Sequence, residues 1–228
     1  MDSPVIIGGV ERSGTSLLRA ILGSHPDLAI FQWDLPLWRK FYNEFGNRNM
    51  SFDECKELLQ KIASHRKALK AEMTPDTENV LHVLRRKKKP LKCEQVFGAY
   101  LQAYAKKQGR ERWGLKTPTN EFYANSIFKE FPKATLIHVI RDPRDVIVSM
   151  MKTSFMNKLS LSVYPHKFKG VKTLDRWYKS SKVALKNKNR FGKKYQIVRY
   201  EDVVKSTNKS VKLICKVSEL KYKKVCLT

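Results

Sequence analysis

The sequence predicts an α/β fold in which a central parallel sheet lies between two layers of helices. Short apolar runs alternate with amphipathic stretches at residues 4–24 and again after residue 111, and this alternation is typical of βαβ units. The chain has 228 residues, of which 42% are hydrophobic and 11% aromatic. This length and composition suit a sizeable core, so we predict a single domain over residues 1–228.

Each predicted element follows from the spacing of apolar residues and from nearby turn signals. The strands are predicted at residues 5–7, 28–33, 112–116, 134–140 and 195–199. Helices are predicted to begin near residues 14–16 and 34–36, and to cover residues 52–68, 76–86, 94–107, 120–131, 143–155, 171–189 and 203–217. Because residues 37–108 are mostly helical, we interpret them as a helical insertion in the domain.

The chain is strongly basic, with 46 Lys and Arg against 21 Asp and Glu, a formal net charge of +25. Such a charge attracts polyanions, acidic substrates or a highly charged nucleotide. The lysines are scattered along helices, which is also typical of solvated faces, and no specific nucleic-acid site is indicated. A basic polyanion-binding module without turnover therefore stands as one alternative function.

The cysteines and the hydropathy pattern set expectations about redox state and location. Cys55, Cys93, Cys215 and Cys226 form no CxxC pair, so we expect reduced thiols and neither a zinc site nor a disulfide framework. No apolar run reaches transmembrane length, and the first strand leaves no room for a signal peptide. We expect a soluble cytoplasmic protein, or one in the Golgi lumen if an anchor precedes this chain.

Residues 4–24 predict an anion-binding site, because a buried strand leads through a glycine turn into an amphipathic helix. The free N–H groups at the helix N-terminus carry partial positive charge, and neighbouring side chains add donors. The candidate ligands are Arg12, Ser13, Gly14, Thr15 and Ser16.

The turn nearly matches the phosphate loop GxxxxGK[ST] of P-loop proteins, and we expect a P-loop-like fold. However, Thr15 stands where that motif has lysine, and the cation comes earlier, at Arg12. A P-loop kinase or triphosphatase is the second alternative function. It would need that lysine and a magnesium-binding aspartate at a strand end; Asp142 follows an apolar run, but Arg141 intervenes.

A second motif, IRDPRDVIVSMM, follows the most apolar strand. Arg141 leaves the strand and Ser149 lies two turns into the next helix, so a planar guanidinium and a hydroxyl can bind one dianion. In the alternative interpretation Arg141 forms a salt bridge. Among the neighbouring charges we expect Arg144 and Asp145 to pair.

Together, GVERSGTS and RDPRDVIVS resemble the two donor-binding motifs of sulfotransferases that use 3′-phosphoadenosine 5′-phosphosulfate (PAPS). The resemblance covers most of residues 4–220 and is nearer to the tyrosylprotein and bacterial branches than to the cytosolic aryl sulfotransferases. It implies that the first motif binds the 5′-phosphosulfate and that Arg141 and Ser149 bind the 3′-phosphate. Two shorter similarities extend it: WGLKTP places Lys116 as the transition-state lysine, and VRYEDVV places Tyr200 beside the nucleotide. An exposed strand-end lysine and a packing tyrosine are the alternatives.

The implied reaction moves a sulfuryl group from PAPS to an alcohol, phenol, sugar or tyrosine hydroxyl by in-line displacement, releasing adenosine 3′,5′-bisphosphate (PAP) without a metal. Arg12 and Lys116 are expected to stabilise the developing charge. The KTH histidine of the aryl enzymes is absent here, and His138 is expected in the core. By resemblance to the tyrosylprotein branch, we predict Asp34 as the general base, with a helix N-cap as the alternative.

The acceptor pocket is expected to involve residues 32–42, with Trp33 and Trp38, and the loop at 155–170. The basic composition favours an acidic acceptor, whose identity the sequence leaves open.

Overall fold

The computed structural model describes residues 3–46, 48–87, 90–152 and 166–224. Within them, five strands form one parallel sheet in the order β2–β3–β1–β4–β5. The strands are β1 (Val5–Gly8), β2 (Leu28–Ile30), β3 (Arg112–Lys116), β4 (Thr135–Ile140) and β5 (Tyr195–Arg199). This arrangement confirms the predicted α/β fold with a central parallel sheet, and the strand predicted at 28–33 is shorter than expected.

Helices connect the strands. They are α1 (Thr15–Gly23), α2 (Asn43–Phe45), α3 (Phe52–Ala63), α4 (Arg66–Leu69), α5 (Thr77–Arg85), α6 (Cys93–Lys107), α7 (Ala124–Glu130), α8 (Pro143–Met151), α9 (His166–Phe191), α10 (Tyr200–Lys205) and α11 (Thr207–Val217). A π-helical segment, Leu37–Tyr42, precedes α2, and 3₁₀ turns, Asn120–Tyr123 and Gly192–Lys194, precede α7 and β5.

Local backbone signals explain where the predicted helices begin and break. Ser51 and Glu54 form a reciprocal capping box that starts α3. The helix predicted at 52–68 is divided, because Ser64 ends α3 and the His65 side chain caps α4. The helix predicted at 203–217 is also two helices, since Ser206 adopts a non-helical conformation with φ −139° and ψ 55°. The predicted end of α8 at residue 155 lies outside the described residues.

Both faces of the sheet are buried, which explains the nearly continuous apolar character of its strands. Ile6 and Leu136 face a large core shared with α3, α5, α6 and α7. Val5, Ile7 and Ile137 face a second core, which contains apolar residues of α1, α10 and α11. The three-layer arrangement therefore leaves the carboxyl ends of the strands as the edge where charged side chains collect.

Two further expectations concern thiols and membrane spans. Cys55, Cys93 and Cys215 are buried thiols, and desolvation by burial raises the pKa of the Cys55 thiol to about 11. Cys226 lies outside the described residues. Within the described residues, no helix has the length and apolarity that a membrane span requires.

Candidate active site

The glycine turn after β1 needs glycine at two positions. Gly9 has φ +122°, and a Cβ there would overlap the carbonyl oxygen of Val139. Gly14 has φ +93° and N-caps α1, and a Cβ there would overlap the ring of Tyr200. The turn is therefore packed between the tip of β4 and the start of α10. Tyr200, predicted from a separate motif, lies against it.

The turn presents buried donors. Ser13 is 1% exposed, and its hydroxyl has no hydrogen-bond partner among the described residues. Thr15 is also buried, and α1 begins without a side-chain cap, so its first N–H groups are available to an anion. Arg12 adopts a left-handed conformation with φ 71°, a strained state for a residue other than glycine. This combination of donors fits an anion at the turn.

Lys116, from the WGLKTP motif, is the last residue of β3 and lies beside the glycine turn. It pairs in register with Ile7 of β1, and only 5% of its surface is exposed. Its Nζ donates a hydrogen bond to Ser16 Oγ at 3.2 Å and forms an ion pair with Asp34. The predicted lysine, the predicted base and the start of α1 are therefore adjacent. The alternatives of an exposed lysine and of Asp34 as an N-cap are not observed, because no side chain caps the segment that begins at Leu37.

Arg141 leaves β4 and contacts the turn. Its Nη1 donates to the Arg12 carbonyl oxygen at 3.3 Å, and its guanidinium carbon lies 4.4 Å from the centroid of the Tyr200 ring. Its Nη2 lies 3.3 Å from Asp145 Oδ2, so the salt-bridge alternative is realised in part. The Nε atom is buried and has no partner among the described residues. Arg141 therefore has a donor available for a further acceptor.

A second hydrogen bond joins the two predicted motifs, because Arg12 Nε donates to Ser149 Oγ at 3.0 Å. The prediction that Arg144 pairs with Asp145 is wrong. Arg144 instead binds Asp142, with Nη2 and Oδ2 2.6 Å apart, and these hydrogen bonds lower the pKa of the Asp142 carboxyl to about 2. Asp145 instead pairs with Arg141, which lies four residues earlier in the chain.

A buried carboxylate that was not among the predicted site residues lies beside the turn. Glu121 is 1% exposed, and its Oε2 accepts the Gly9 N–H at 3.0 Å. Its Oε1 accepts the hydroxyl of Ser180 on α9 at 2.5 Å. The available signal was its place five residues after the end of β3, because β3 neighbours β1 and their carboxyl ends share one edge.

Helix α9 makes two further contacts with the strand tips. Trp177 Nε1 donates to the Arg141 carbonyl oxygen at 2.8 Å. Arg176 Nη1 lies 3.7 Å from Glu11 Oε2 in the glycine turn. The tips of β1 and β4 are therefore both tied to α9.

The remaining candidate residues lie in the core or at the predicted acceptor pocket. His138 is buried, donates to or accepts from the Tyr195 hydroxyl at 3.0 Å, and has its pKa lowered by burial, as expected for a core residue. Trp38 is fully buried in the core, whereas Trp33 is 38% exposed next to Asp34. Residues 155–165 of the acceptor loop predicted at 155–170 lie outside the described residues, and residues 166–170 belong to α9 rather than to a loop. Among the described residues, no three His, Cys, Asp or Glu side chains group as metal ligands.

Fold and site together define an α/β protein with a donor-rich glycine turn and cations on neighbouring strand tips. The model of the sulfotransferase family matches residues 4–224, so the chain belongs to that family and is a sulfotransferase. A search of curated proteins found no significant match.

Solved structures share the fold. The sulfotransferase domain from the curacin biosynthetic pathway has a TM-score of 0.63 at 18% identity, covering 100% of this chain and 77% of that one. The sulfotransferase domain of the Synechococcus PCC 7002 olefin synthase has a TM-score of 0.61 at 21% identity, covering 100% and 78%. Mouse sulfotransferase SULT7A1, complexed with PAP, has a TM-score of 0.51 at 15% identity, covering 98% and 61%.

Proposed function

We propose that this sulfotransferase uses PAPS as its donor and transfers the sulfuryl group to an acceptor hydroxyl by in-line displacement, releasing PAP. The hydrogen bond between Arg12 and Ser149 is the observation that carries the proposal. It places the glycine turn, expected to bind the 5′-phosphosulfate, in direct contact with the second motif, expected to bind the 3′-phosphate. The presence of PAP in the mouse structure supports the same ligand class.

The residues at the site fit a doubly phosphorylated nucleotide. The hydroxyl of Ser13 and the Nε of Arg141 are buried donors without partners among the described residues, and buried donors are costly unless paired. Phosphate oxygens accept such bonds, and the start of α1 adds N–H groups of favourable polarity. Ser13, Gly14, Thr15 and Ser16 would hold the phosphosulfate end. Arg141 and Ser149 would hold the 3′-phosphate, and Tyr200 would lie beside the nucleotide.

When bound, PAPS supplies a sulfuryl group whose bond to the bridging oxygen breaks and leaves its electron pair on the phosphate. Arg12 and Lys116 stabilise the negative charge that develops there, because both are cations beside the turn. Lys116 is well suited to this role, since Ser16 and Asp34 fix its ammonium group in a buried position before any reaction begins.

Asp34 acts as the general base that accepts the proton of the acceptor hydroxyl. Its side chain is 36% exposed, whereas that of its partner Lys116 is only 7% exposed. An acceptor arriving from solvent can therefore reach the carboxylate while the lysine stays on the donor side. Proton transfer by such a group typically contributes a factor of about 10² to 10⁴.

The acceptor is an alcohol, phenol, sugar or tyrosine hydroxyl, and the net charge of +25 favours one that is acidic. The cytoplasm is the proposed compartment.

Calorimetry with PAP, ADP and ATP tests the donor assignment. We expect PAP to bind most tightly, because ADP and ATP lack a 3′-phosphate for Arg141 and Ser149. Sulfate transfer from PAPS is then screened against phenols, sugars and peptides, with acidic and neutral members of each class. Tighter binding of ATP with magnesium would overturn the proposal.

A further inference from the structure

The buried carboxylate of Glu121 has no place in the proposed chemistry, yet it bonds to the first residue of the glycine turn. Oε2 accepts the Gly9 N–H at 3.0 Å, across 112 positions of sequence. Gly9 starts the turn, and its φ of +122° together with the closeness of Val139 restricts the path of the chain. The orientation of the Gly8–Gly9 peptide is therefore determined in part by this carboxylate.

The same carboxylate is held from its other side by α9. Oε1 accepts the Ser180 hydroxyl at 2.5 Å. Separately, the main-chain carbonyl oxygen of Glu121 accepts a hydrogen bond from Asn187 Nδ2 at 2.8 Å. One turn before Ser180, Trp177 bonds to the main chain of Arg141. A single helix thus contacts both strand tips, at the turn through Glu121 and at the 3′-phosphate motif through Trp177.

We propose that Glu121 is a positioning residue for the donor site: it fixes the Gly8–Gly9 peptide relative to α9 and so sets the spacing between the glycine turn and Arg141. This inference rests on the proposed function, because the spacing matters only when one ligand contacts both motifs. Both carboxylate oxygens are already bonded within the protein, to Gly9 and to Ser180. It acts through the Gly9 amide.

Three variants separate positioning from general stability. Glu121→Gln keeps an acceptor for Gly9, while its amide can donate to the Ser180 oxygen. Glu121→Met keeps the side-chain volume but leaves the buried Gly9 N–H without an acceptor. Asn187→Ala is the matched control, because it removes a bond to the Glu121 main chain and leaves both bonds of the carboxylate, to Gly9 and to Ser180, in place.

Two measurements are made on each variant: the dissociation constant for PAP by calorimetry, and the hydrogen-exchange rate of the Gly9 amide by NMR without ligand. We expect Glu121→Met to weaken PAP about tenfold or more and to accelerate Gly9 exchange. Glu121→Gln is expected to stay within about threefold of the parent in both. Asn187→Ala is expected to lower the melting temperature but to leave PAP affinity within about twofold.

The proposal is overturned if Glu121→Gln loses as much PAP affinity as Glu121→Met, or if Asn187→Ala loses affinity in proportion to its stability. It is also overturned if Gly9 exchange is unchanged in Glu121→Met. Should that variant not fold, Ser180→Ala replaces it, with a smaller change of the same sign expected in both readouts. A parent protein that does not bind PAP would contradict the proposed function, while the exchange rates would still decide the role of Glu121.

Discussion

The two ends of the candidate site differ in how firmly the protein holds its functional groups. At the tips of β1 and β3, Ser13 and Lys116 are nearly inaccessible, and Lys116 is fixed by two neighbours. At the tip of β4, the Arg141 side chain is 22% exposed, donates to Arg12 and Asp145, and packs its guanidinium over the Tyr200 ring. The first end is pre-organised, whereas the second is held by contacts that a ligand can replace.

This difference fits the two roles that the proposed function gives to these groups. Groups that stabilise a transition state act best when they are fixed and desolvated before the reaction, as Lys116 is. Groups that only bind a charged ligand can exchange one partner for another, as Arg141 and Ser149 would on donor binding. Substitutions at the first end should therefore lower turnover, and those at the second end should weaken binding.

The largest effect is expected at Asp34. Asp34→Asn should lower kcat about 10²- to 10⁴-fold, because the amide cannot accept the proton. Steady-state sulfate transfer at saturating PAPS measures this, with Asp53→Asn at an exposed position of α3 as the matched control. If Asp34→Asn retains activity but Asp34→Ala loses it, Asp34 serves to position Lys116 and the assignment as base is wrong.

Lys116→Met is expected to lower kcat about 10²- to 10³-fold, as does removal of one donor from an oxyanion site. The affinity for PAP should change little, because the lysine acts where charge develops during transfer. The exposed Lys129 provides the control, since Lys129→Met removes the same charge from α7. A loss of PAP affinity equal to the loss of turnover would break the distinction between the two ends.

Arg141→Met tests the binding end. The dissociation constant for PAP should rise about 10- to 100-fold, the usual effect of losing hydrogen bonds to a charged group. Adenosine 5′-monophosphate, which lacks the 3′-phosphate, should be affected no more than about threefold. Equal weakening of both ligands in calorimetry would show that Arg141 instead maintains the turn, through its bond to the Arg12 carbonyl oxygen.

The sequence alone predicted the sheet and the position of the motifs, because these depend on local signals. Strands buried on both faces read as apolar runs, and β3 and β5 have the predicted bounds. Gly9 and Gly14 could be recognised as a turn because their conformations exclude most other residues. The parallel order then brings the tips of β1, β3 and β4 to one edge.

Contacts between distant segments were harder to predict. The bond between Gly9 and Glu121 spans 112 positions, and only the pairing of β1 with β3 in the sheet, not either local pattern, indicates it. The choice between neighbouring charges was wrong at Arg144, because pairing among adjacent residues depends on side-chain rotamers that spacing does not fix. Asp34 and Lys116 were each predicted, but through resemblance, and their ion pair was not anticipated.

The smallest effect is expected at Ser149, and it tests how the two ends are joined. Ser149→Ala removes one neutral donor, so PAP should bind about 2- to 10-fold more weakly with kcat nearly unchanged. If Ser149 and Arg141 hold the same phosphate, the double variant should lose less than the sum of the two single losses in binding free energy, because each single change already disrupts the shared contact. Additive losses would mean that the two side chains act on separate groups. A fall in kcat alone would instead point to the bond with Arg12, and would move Ser149 to the reacting end of the site.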